Sequence, residues 1–190
     1  PYGPLPISVP GAGEGWSALH KKFGKFEFAK LFDDAINYAE NGFPVSELIA
    51  YYLNRSSEIF KYYKNFQKVW MPNGVTPKKG DIFKNPLLAQ NYRDIASSYG
   101  EAFYRGKIAD DIVKSINDEG GFYSPSDLSN FKSEWIEPVS SNYRGYDIWE
   151  LPPNGQGIAA LQILNILENY DLSSLKFGSC LLYTSDAADE

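Results

Sequence analysis

Residues 142–169 have the sequence NYRGYDIWELPPNGQGIAALQILNILEN, in which the spacing of apolar side chains changes from an alternating to a helical pattern. Apolar and polar residues alternate at 135–139 and at 146–150, and the polar segment 142–145 lies between them. This arrangement predicts a β-hairpin. Pro138 has no N–H for a sheet ladder, so its strand is expected at a sheet edge or beside a bulge.

The segment after the hairpin, residues 158–169, is apolar on most of its helical circumference, which predicts a helix buried on several sides. Upstream of the hairpin, apolar residues recur at helical spacing between glycine and proline stops. Five upstream helices are predicted. The first covers 14–23, the second runs from Phe28 until Gly42 ends it, and the third begins after Ser46 as its N-cap. The fourth begins at Asn85-Pro86 and ends before Gly100, and the fifth covers 106–117. Residues 72–80 are rich in turn formers and predict a surface loop or small hairpin. The predicted fold class is therefore α+β, mostly helical with a late β-hairpin.

Composition narrows the functional classes. The 190 residues are 43% hydrophobic and 22% charged, as in globular domains. The formal charge is −6 and no basic run exceeds two lysines, which argues against nucleic acid as a partner. No apolar stretch approaches the roughly 20 residues that span a bilayer. Aromatic residues reach 16%, so buried tyrosine hydroxyls will need hydrogen-bond partners.

The ends of the chain predict an internal fragment. It begins with Pro1 rather than Met, without a signal pattern. Residues 180–190, CLLYTSDAADE, resemble a sequencing adapter translated in frame, with a natural amphipathic C-terminal segment as the alternative. Excluding them removes the only cysteine and leaves 21 acidic against 18 basic residues, a net charge of −3. The expected native segment is thus 1–179.

Few residues are suited to nucleophilic or metal chemistry. His20 is the only histidine, and the only cysteine lies in 180–190. Neither a Ser-His-Asp triad nor a Cys-His pair can be assembled from residues 1–179, and a zinc site would lack its preferred nitrogen and sulfur ligands. We therefore predict no metal or cofactor site and expect His20 at the surface.

Paired carboxylates are also weak candidates for catalysis. Asp33-Asp34 and Asp110-Asp111 fall on predicted helices, where adjacent side chains point about 100° apart and rarely share a proton. Both pairs are expected on solvated faces. Glu134 and Glu137 flank Trp135 on a predicted strand, where they would face opposite sides, so they only weakly support a glycosidase-type pair.

Two glycine-rich stretches are candidate binding sites. Residues 11–15 lack the third glycine of a dinucleotide fingerprint, because Trp16 stands there, and are expected to form a tight turn into the first helix. Residues 154–157 close a strand and open a helix, where backbone N–H groups can face an anion or substrate. For this second stretch a site wall and a plain strand-to-helix turn remain equal alternatives.

Seven motifs in order resemble one family, the gamma-glutamyltransferases (gamma-glutamyltranspeptidases, also called glutathione hydrolases). Their order and spacing run as in that family from about Leu5 to Ser179. The motifs are SVPG at 8–11, GWSALHKKFG at 15–24, AINYAENGFPVS at 35–46, AFYRGKIA at 102–109, YRGY at 143–146, PPNGQG at 152–157 and LNILE at 164–168.

The resemblance implies part of an αββα N-terminal-nucleophile hydrolase whose precursor cleaves itself, with this segment inside the large subunit. The family's nucleophile is the threonine that begins the small subunit, and its own α-amino group serves as base, so no histidine is needed. The arginine that holds the substrate α-carboxylate belongs upstream of Pro1. Thr76 and Thr184 match neither the nucleophile nor its context. The resemblance therefore assigns no catalytic residue to this chain.

The resemblance also implies a gamma-glutamyl small molecule as substrate, a self-processed small subunit as partner, and a periplasmic or extracellular location, with a cytoplasmic one open. Ala12 stands where many members have Thr, and residues 154–157 replace a Ser-Ser-Gly-Gly pattern. A cephalosporin-type acylase and a non-catalytic helical scaffold or binding module remain alternatives. Without its remaining sheets the segment should be poorly stable or prone to associate, with helix 158–169 packed on one side at most.

Overall fold

The computed structural model describes residues 2–175 and 178, and the chain forms two compact units that meet in sequence between Ser133 and Glu134. In the first unit the helices are α1 Ala12–Phe23, α2 Asp33–Asn41, α3 Glu47–Phe60, α4 Lys64–Trp70, α5 Pro86–Ser97, α6 Glu101–Tyr104, α7 Lys107–Asp118 and α8 Pro125–Ser129. A 3-10 helix, Phe28–Phe32, precedes α2. Strands β1 Phe43–Pro44 and β2 Ile82–Phe83 pair antiparallel.

The second unit contains β3 Val139–Tyr143, β4 Tyr146–Glu150, α9 Gly157–Leu167 and a 3-10 helix Leu172–Ser174. Strands β3 and β4 form an antiparallel hairpin with Val139 opposite Glu150 and Tyr143 opposite Tyr146. Together with the helical first unit, this late hairpin confirms the predicted α+β class.

Local capping explains where several helices begin. The Ser46 side chain accepts a hydrogen bond from the Ile49 N–H at 3.3 Å, as predicted for the start of α3. Asn85 does the same for the Leu88 N–H at 3.0 Å, and Pro86 occupies the first turn of α5. These starts need only residues within one turn, so the sequence reveals them directly.

The core of the first unit consists of two neighbouring clusters. The first joins the 3-10 helix to α5 and α7 through buried Phe28, Phe32, Ile95, Ala96 and Ile108. The second joins α6, α7 and α8 through buried Tyr104, Ala109 and Leu128. Residues 72–80 form no helix or strand, as predicted, and lead into β2, where the Phe83 ring stacks on Trp70 at 5.3 Å between centroids.

Two local predictions were wrong. The helix α1 begins at Ala12, so residues 11–15 are mostly helical rather than a tight turn. Gly13 is buried there, and a Cβ on it would touch the Tyr104 hydroxyl at 3.5 Å, so this glycine permits close packing of α1.

The first strand of the hairpin was predicted too early, whereas the second strand lies at 146–150 as predicted. Residues 135–138 are not a strand, so Pro138 precedes β3 and needs neither an edge nor a bulge, and Glu134 and Glu137 lie on no strand at all. Arg144 and Gly145 form the whole turn, with φ of 52° and 87°, the two positive values of a type I′ turn.

The prediction that α9 is buried on several sides was also wrong. Leu161 is its only buried residue, and the helix packs on β3 and β4. Ile158, Ile163 and Ile166 keep 39%, 42% and 60% of their surface exposed. The expectation of packing on one side at most is thus confirmed. Within the described residues no helix is long and apolar enough to cross a membrane.

Candidate functional site

The turn before α9 is the candidate site that the sequence singled out. Asn154, Gly155 and Gln156 are exposed, and Gln156 occupies the N-cap position without a side-chain capping bond. A Cβ on Gly157 would lie 2.7 Å from Glu150 Cβ and 2.8 Å from the Leu151 carbonyl oxygen. Gly157 therefore allows the end of β4 and the start of α9 to approach closely, which explains the turn structurally. A substrate-wall role for residues 154–157 stays a prediction.

A buried tyrosine forms a second, more ordered cluster at the start of α1. The Tyr104 hydroxyl donates to the Pro10 carbonyl at 2.8 Å and accepts from the Glu14 N–H at 3.0 Å. Burial is the main reason that the pKa of Tyr104 is raised above its ordinary value. The Glu14 carboxylate in turn accepts from the Ser133 N–H at 2.7 Å. One hydroxyl thus ties the chain before α1 and the helix start to α6.

A pocket of about 190 Å³ adjoins this cluster. Its charged lining residues are Glu14, Lys21, Glu101, Arg105 and Lys132. The Arg105 guanidinium is paired with Glu101 and also donates to the Ser129 carbonyl at 2.7 Å. Positive and negative groups are mixed here, so the pocket does not select one sign of ligand.

His20 is a structural residue rather than a free surface histidine. Nε2 lies 2.7 Å from the Phe26 carbonyl oxygen, which can only accept, so Nε2 carries the proton. Nδ1 lies 2.5 Å from the Tyr99 hydroxyl, which in this tautomer donates to it. The ring is half-buried against Phe28 and Tyr99. The expectation of a surface position was therefore wrong.

Tyr99 itself has an unusual backbone. Its φ is 56°, a left-handed value that costs a non-glycine residue roughly 1–2 kcal/mol. Three contacts hold it: its ring stacks on Phe28 at 4.4 Å, its hydroxyl meets His20, and its carbonyl accepts from Ser17 Oγ at 2.9 Å. This strained residue, which follows α5, therefore links the chain after α5 to α1 and to the 3-10 helix.

The carboxylates predicted to be solvated are exposed: Asp33, Asp34, Asp110 and Asp111. Glu134 and Glu137 are exposed as well and lie on irregular backbone. Among residues 2–175 and 178, no group of three His, Cys, Asp or Glu side chains is arranged to hold a metal ion.

Sequence reasoning missed Tyr104 and Tyr99 as structural centres. The general signal was present, since an aromatic-rich chain must find partners for buried hydroxyls. It did not say which of 14 tyrosines would be buried, because the partners of Tyr104 lie 90 and 94 residues away in the sequence.

Comparison with known proteins identifies relatives of this chain. The sequence model described as gamma-glutamyltranspeptidase matches residues 1–186. The chain is 36% identical over 177 residues to a glutathione hydrolase-like YwrD proenzyme of Bacillus subtilis, an alignment that covers 93% of this chain and 34% of that protein. The chain thus spans about a third of the length of this curated relative.

Two solved structures have the same fold. A cephalosporin acylase from Bacillus halodurans superposes with a TM-score of 0.86 at 39% identity, covering 90% of this chain and 33% of that one. A Helicobacter pylori gamma-glutamyltranspeptidase superposes with a TM-score of 0.88 at 35% identity, covering 94% and 52%. These neighbours confirm the predicted fold class, part of an N-terminal-nucleophile hydrolase. This chain belongs to the gamma-glutamyltranspeptidase family.

Proposed function

We propose that this chain is part of a gamma-glutamyl acyltransferase or glutathione hydrolase that is made as a proenzyme. The observation that carries the proposal is the family match over residues 1–186. The 36% identity to a relative named as a glutathione hydrolase-like proenzyme supports it further. The substrate class is a gamma-glutamyl small molecule such as glutathione, and the acceptor is water or an amino acid.

The proposed reaction passes through an acyl-enzyme. A threonine hydroxyl at the start of the small subunit attacks the gamma-carbonyl carbon, and its α-amino group takes the proton and delivers it to the leaving amine. Water or an amino acid then attacks the ester and releases the threonine. No cofactor or metal takes part in this scheme.

In this proposal residues 1–179 contribute scaffold rather than reacting groups. Thr76 lies in the irregular segment before β2, and Thr184 lies outside the described residues. The nucleophile and the arginine that binds the α-carboxylate both belong to other parts of the parent. The self-processed small subunit is the partner that would bring the nucleophile.

A cephalosporin-type acylase is the second candidate. The observation in its favour is the 39% identity to the Bacillus halodurans acylase, slightly above the 36% to the glutathione hydrolase-like protein. Both routes would pass through an ester on the threonine, and they would differ in the acyl group that this ester carries and in the amine that leaves.

The test is to recover the gene upstream and downstream of this segment and to express the full-length parent. The purified protein is assayed with a gamma-glutamyl anilide and with a cephalosporin bearing a side-chain amide, beside a variant with alanine for the threonine at the processing site. Turnover of the anilide that the alanine variant lacks supports the first candidate. Turnover of the cephalosporin alone supports the acylase, and no processing-site threonine would contradict both.

The chain alone is expected to be inactive. Residues 1–179 contain neither the nucleophile nor the carboxylate clamp of the proposed reaction, and proximity effects cannot replace a missing nucleophile. Turnover of the anilide that exceeds a no-protein control and survives repurification would place catalysis in this segment and overturn the assignment.

We also propose that residues 180–190 are not native. They lie outside the described residues. The support for this proposal is the resemblance of CLLYTSDAADE to a sequencing adapter translated in frame; the family match runs to residue 186 and so includes seven of these residues. Sequencing the parent gene from an independent library gives the natural continuation after Ser179. Recovery of the same CLLYTSDAADE segment in genomic DNA would contradict this proposal.

A further inference from the structure

Three Asn-Gly pairs occur in the sequence: Asn41-Gly42, Asn73-Gly74 and Asn154-Gly155. In such a pair the backbone nitrogen of the second residue can attack the side-chain amide carbon of the asparagine. Glycine has no side chain to hinder this approach, and its backbone reaches conformations that other residues avoid. The sequence alone gives the three pairs equal status.

The reaction is redox-neutral and needs only water. The glycine nitrogen gives up its proton to hydroxide and bonds to the asparagine Cγ, the Cγ–Nδ2 bond breaks, and ammonia leaves after taking up a proton. Water then adds to one of the two carbonyls of the cyclic imide. Opening one C–N bond yields aspartate, and opening the other yields isoaspartate, with one extra methylene in the main chain.

Two of the three glycine nitrogens are engaged in hydrogen bonds. The Gly42 N–H donates to the Tyr38 carbonyl at 2.9 Å as the cap of α2, and the Asn41 amide donates to Asn37 Oδ1 at 2.7 Å. The Gly74 N–H donates to the Met71 carbonyl at 2.9 Å. At both pairs the attacking nitrogen must first leave an acceptor, which lowers the population of reactive conformations.

The third pair is the least constrained of the three. Asn154 and Gly155 are exposed. Residues 153–154 form a turn, but within the described residues neither the Gly155 N–H nor the Asn154 side chain makes a hydrogen bond of ordinary geometry, whereas the Gly42 and Gly74 N–H groups each do. A Cβ placed on Gly155 would meet no atom within 4 Å, so the space around the backbone is open. The Gly155 nitrogen therefore has a weaker interaction to break before it can approach the amide carbon than the Gly42 or Gly74 nitrogen has.

We infer that Asn154 is the preferred site of spontaneous deamidation in this folded chain. The product places a carboxylate three residues before the start of α9, near the positive end of the helix dipole. Isoaspartate there also lengthens the main chain between β4 and α9. The inference does not depend on the proposed enzymatic activity.

The experiment incubates the purified 190-residue chain at mildly alkaline pH and follows the three Asn-Gly peptides by mass spectrometry, with isoaspartate detected by its diagnostic backbone fragments. Asn154 should convert at least about five-fold faster than Asn41 or Asn73, the rate ratio expected for one hydrogen bond of ordinary net strength. A mixture of aspartate and isoaspartate is expected at 154.

Two controls separate structure from sequence. In denaturant the three rates should converge, because the hydrogen bonds of Gly42 and Gly74 are lost. Gly155→Ala, which the open space and ordinary φ of this position tolerate, should slow conversion at Asn154 and leave the other two peptides unchanged. Equal rates at the three pairs in the folded chain, or a faster Asn73, would overturn the inference.

Discussion

The two units of this chain differ in how they use their apolar residues. Among the described residues, every hydrophobic side chain that is less than a tenth exposed belongs to the first unit, except Leu161. The first unit surrounds its core with several short helices. Among the described residues the second has one hairpin, the 11-residue helix α9 and a short 3-10 helix, and a single α-helix can bury only the side that packs on the hairpin. An apolar sequence therefore shows that a helix would gain stability from burial, but it does not show that other elements of the structure bury it.

The difference has energetic weight. Full burial of one Leu or Ile side chain is worth roughly 1.5–3 kcal/mol, against about 5–15 kcal/mol for the total stability of a typical domain. In α9 much of this stabilisation is missing, because three isoleucines remain largely exposed: Ile158, Ile163 and Ile166. We expect the second unit to be the less stable of the two and the origin of any self-association.

The largest effect is expected from emptying the core of the first unit. Leu128 in α8 is fully buried, so Leu128→Ala should lower the free energy of unfolding by about 2–5 kcal/mol through lost transfer energy and a residual cavity. Urea titrations followed by circular dichroism measure this loss. Leu31→Ala is the matched control, because Leu31 is 55% exposed and should change stability by no more than about 0.5 kcal/mol. Equal effects of the two substitutions would break the comparison.

Removing the Tyr104 hydroxyl tests the polar part of the same unit. Tyr104→Phe leaves the Pro10 carbonyl and the Glu14 N–H without their partner and should cost about 1–3 kcal/mol. Tyr123→Phe serves as control, since its hydroxyl is exposed and its contact with the Ile7 carbonyl is long, at 3.4 Å. A smaller loss for Tyr104→Phe than for the control would contradict the structural role of Tyr104.

The same residue predicts a pH dependence. Burial raises the pKa of Tyr104 in the folded state, so its contribution to stability is complete below the ordinary tyrosine pKa of about 10. It is lost as the pH rises through the higher folded value. Between the ordinary pKa and the higher folded pKa, the free energy of unfolding should therefore fall less steeply with pH for Tyr104→Phe than for the unchanged chain. Parallel curves would show that the hydroxyl does not titrate with unfolding.

A smaller loss is expected where a glycine is required by its backbone. Gly100 has φ of 92°, and a Cβ there would lie 2.4 Å from Ser17 Oγ. Gly100→Ala should cost at least about 1–2 kcal/mol, the penalty of a left-handed conformation alone. Gly155→Ala in the second unit is the control, because its new Cβ would meet no atom and Gly155 has no positive φ. In thermal unfolding, Gly100→Ala should lower the midpoint temperature and Gly155→Ala should leave it unchanged.

The smallest change in stability, and the most direct test of the second unit, concerns the open face of α9. Ile166→Ser should leave stability within about 0.5 kcal/mol, because Ile166 is 60% exposed. It should nevertheless reduce self-association measured by sedimentation over a range of concentrations. Val75→Ser, at a residue 61% exposed in the first unit, should not. An equal decrease for both variants would remove the special role of α9.

The hairpin shows how far sequence reasoning can reach. The strand 146–150 is where the alternating pattern placed it, but the turn is Arg144-Gly145 and the first strand extends through Tyr143. Asn142 looked like a turn residue because its side chain serves the turn: Oδ1 accepts from the Gly145 N–H at 3.1 Å while its backbone remains in β3. Composition alone does not show whether an asparagine lies in the turn itself or lies in the strand and supports the turn through its side chain.

The sequence by itself determined the features that rest on short-range contacts and on motif order: the caps at Ser46 and Asn85, the irregular segment 72–80, the α+β class and the family. A cap needs only a side-chain oxygen and an N–H three residues away, so its partners are adjacent in the sequence. Only the tertiary structure decided that His20 bonds Tyr99 across 79 residues, that Tyr104 joins α6 to the start of α1, and that α9 keeps an open face. These outcomes depend on which parts of the chain, distant in sequence, come into contact. The chemistry of a side chain indicates what kind of partner it needs, but not which residue will be that partner.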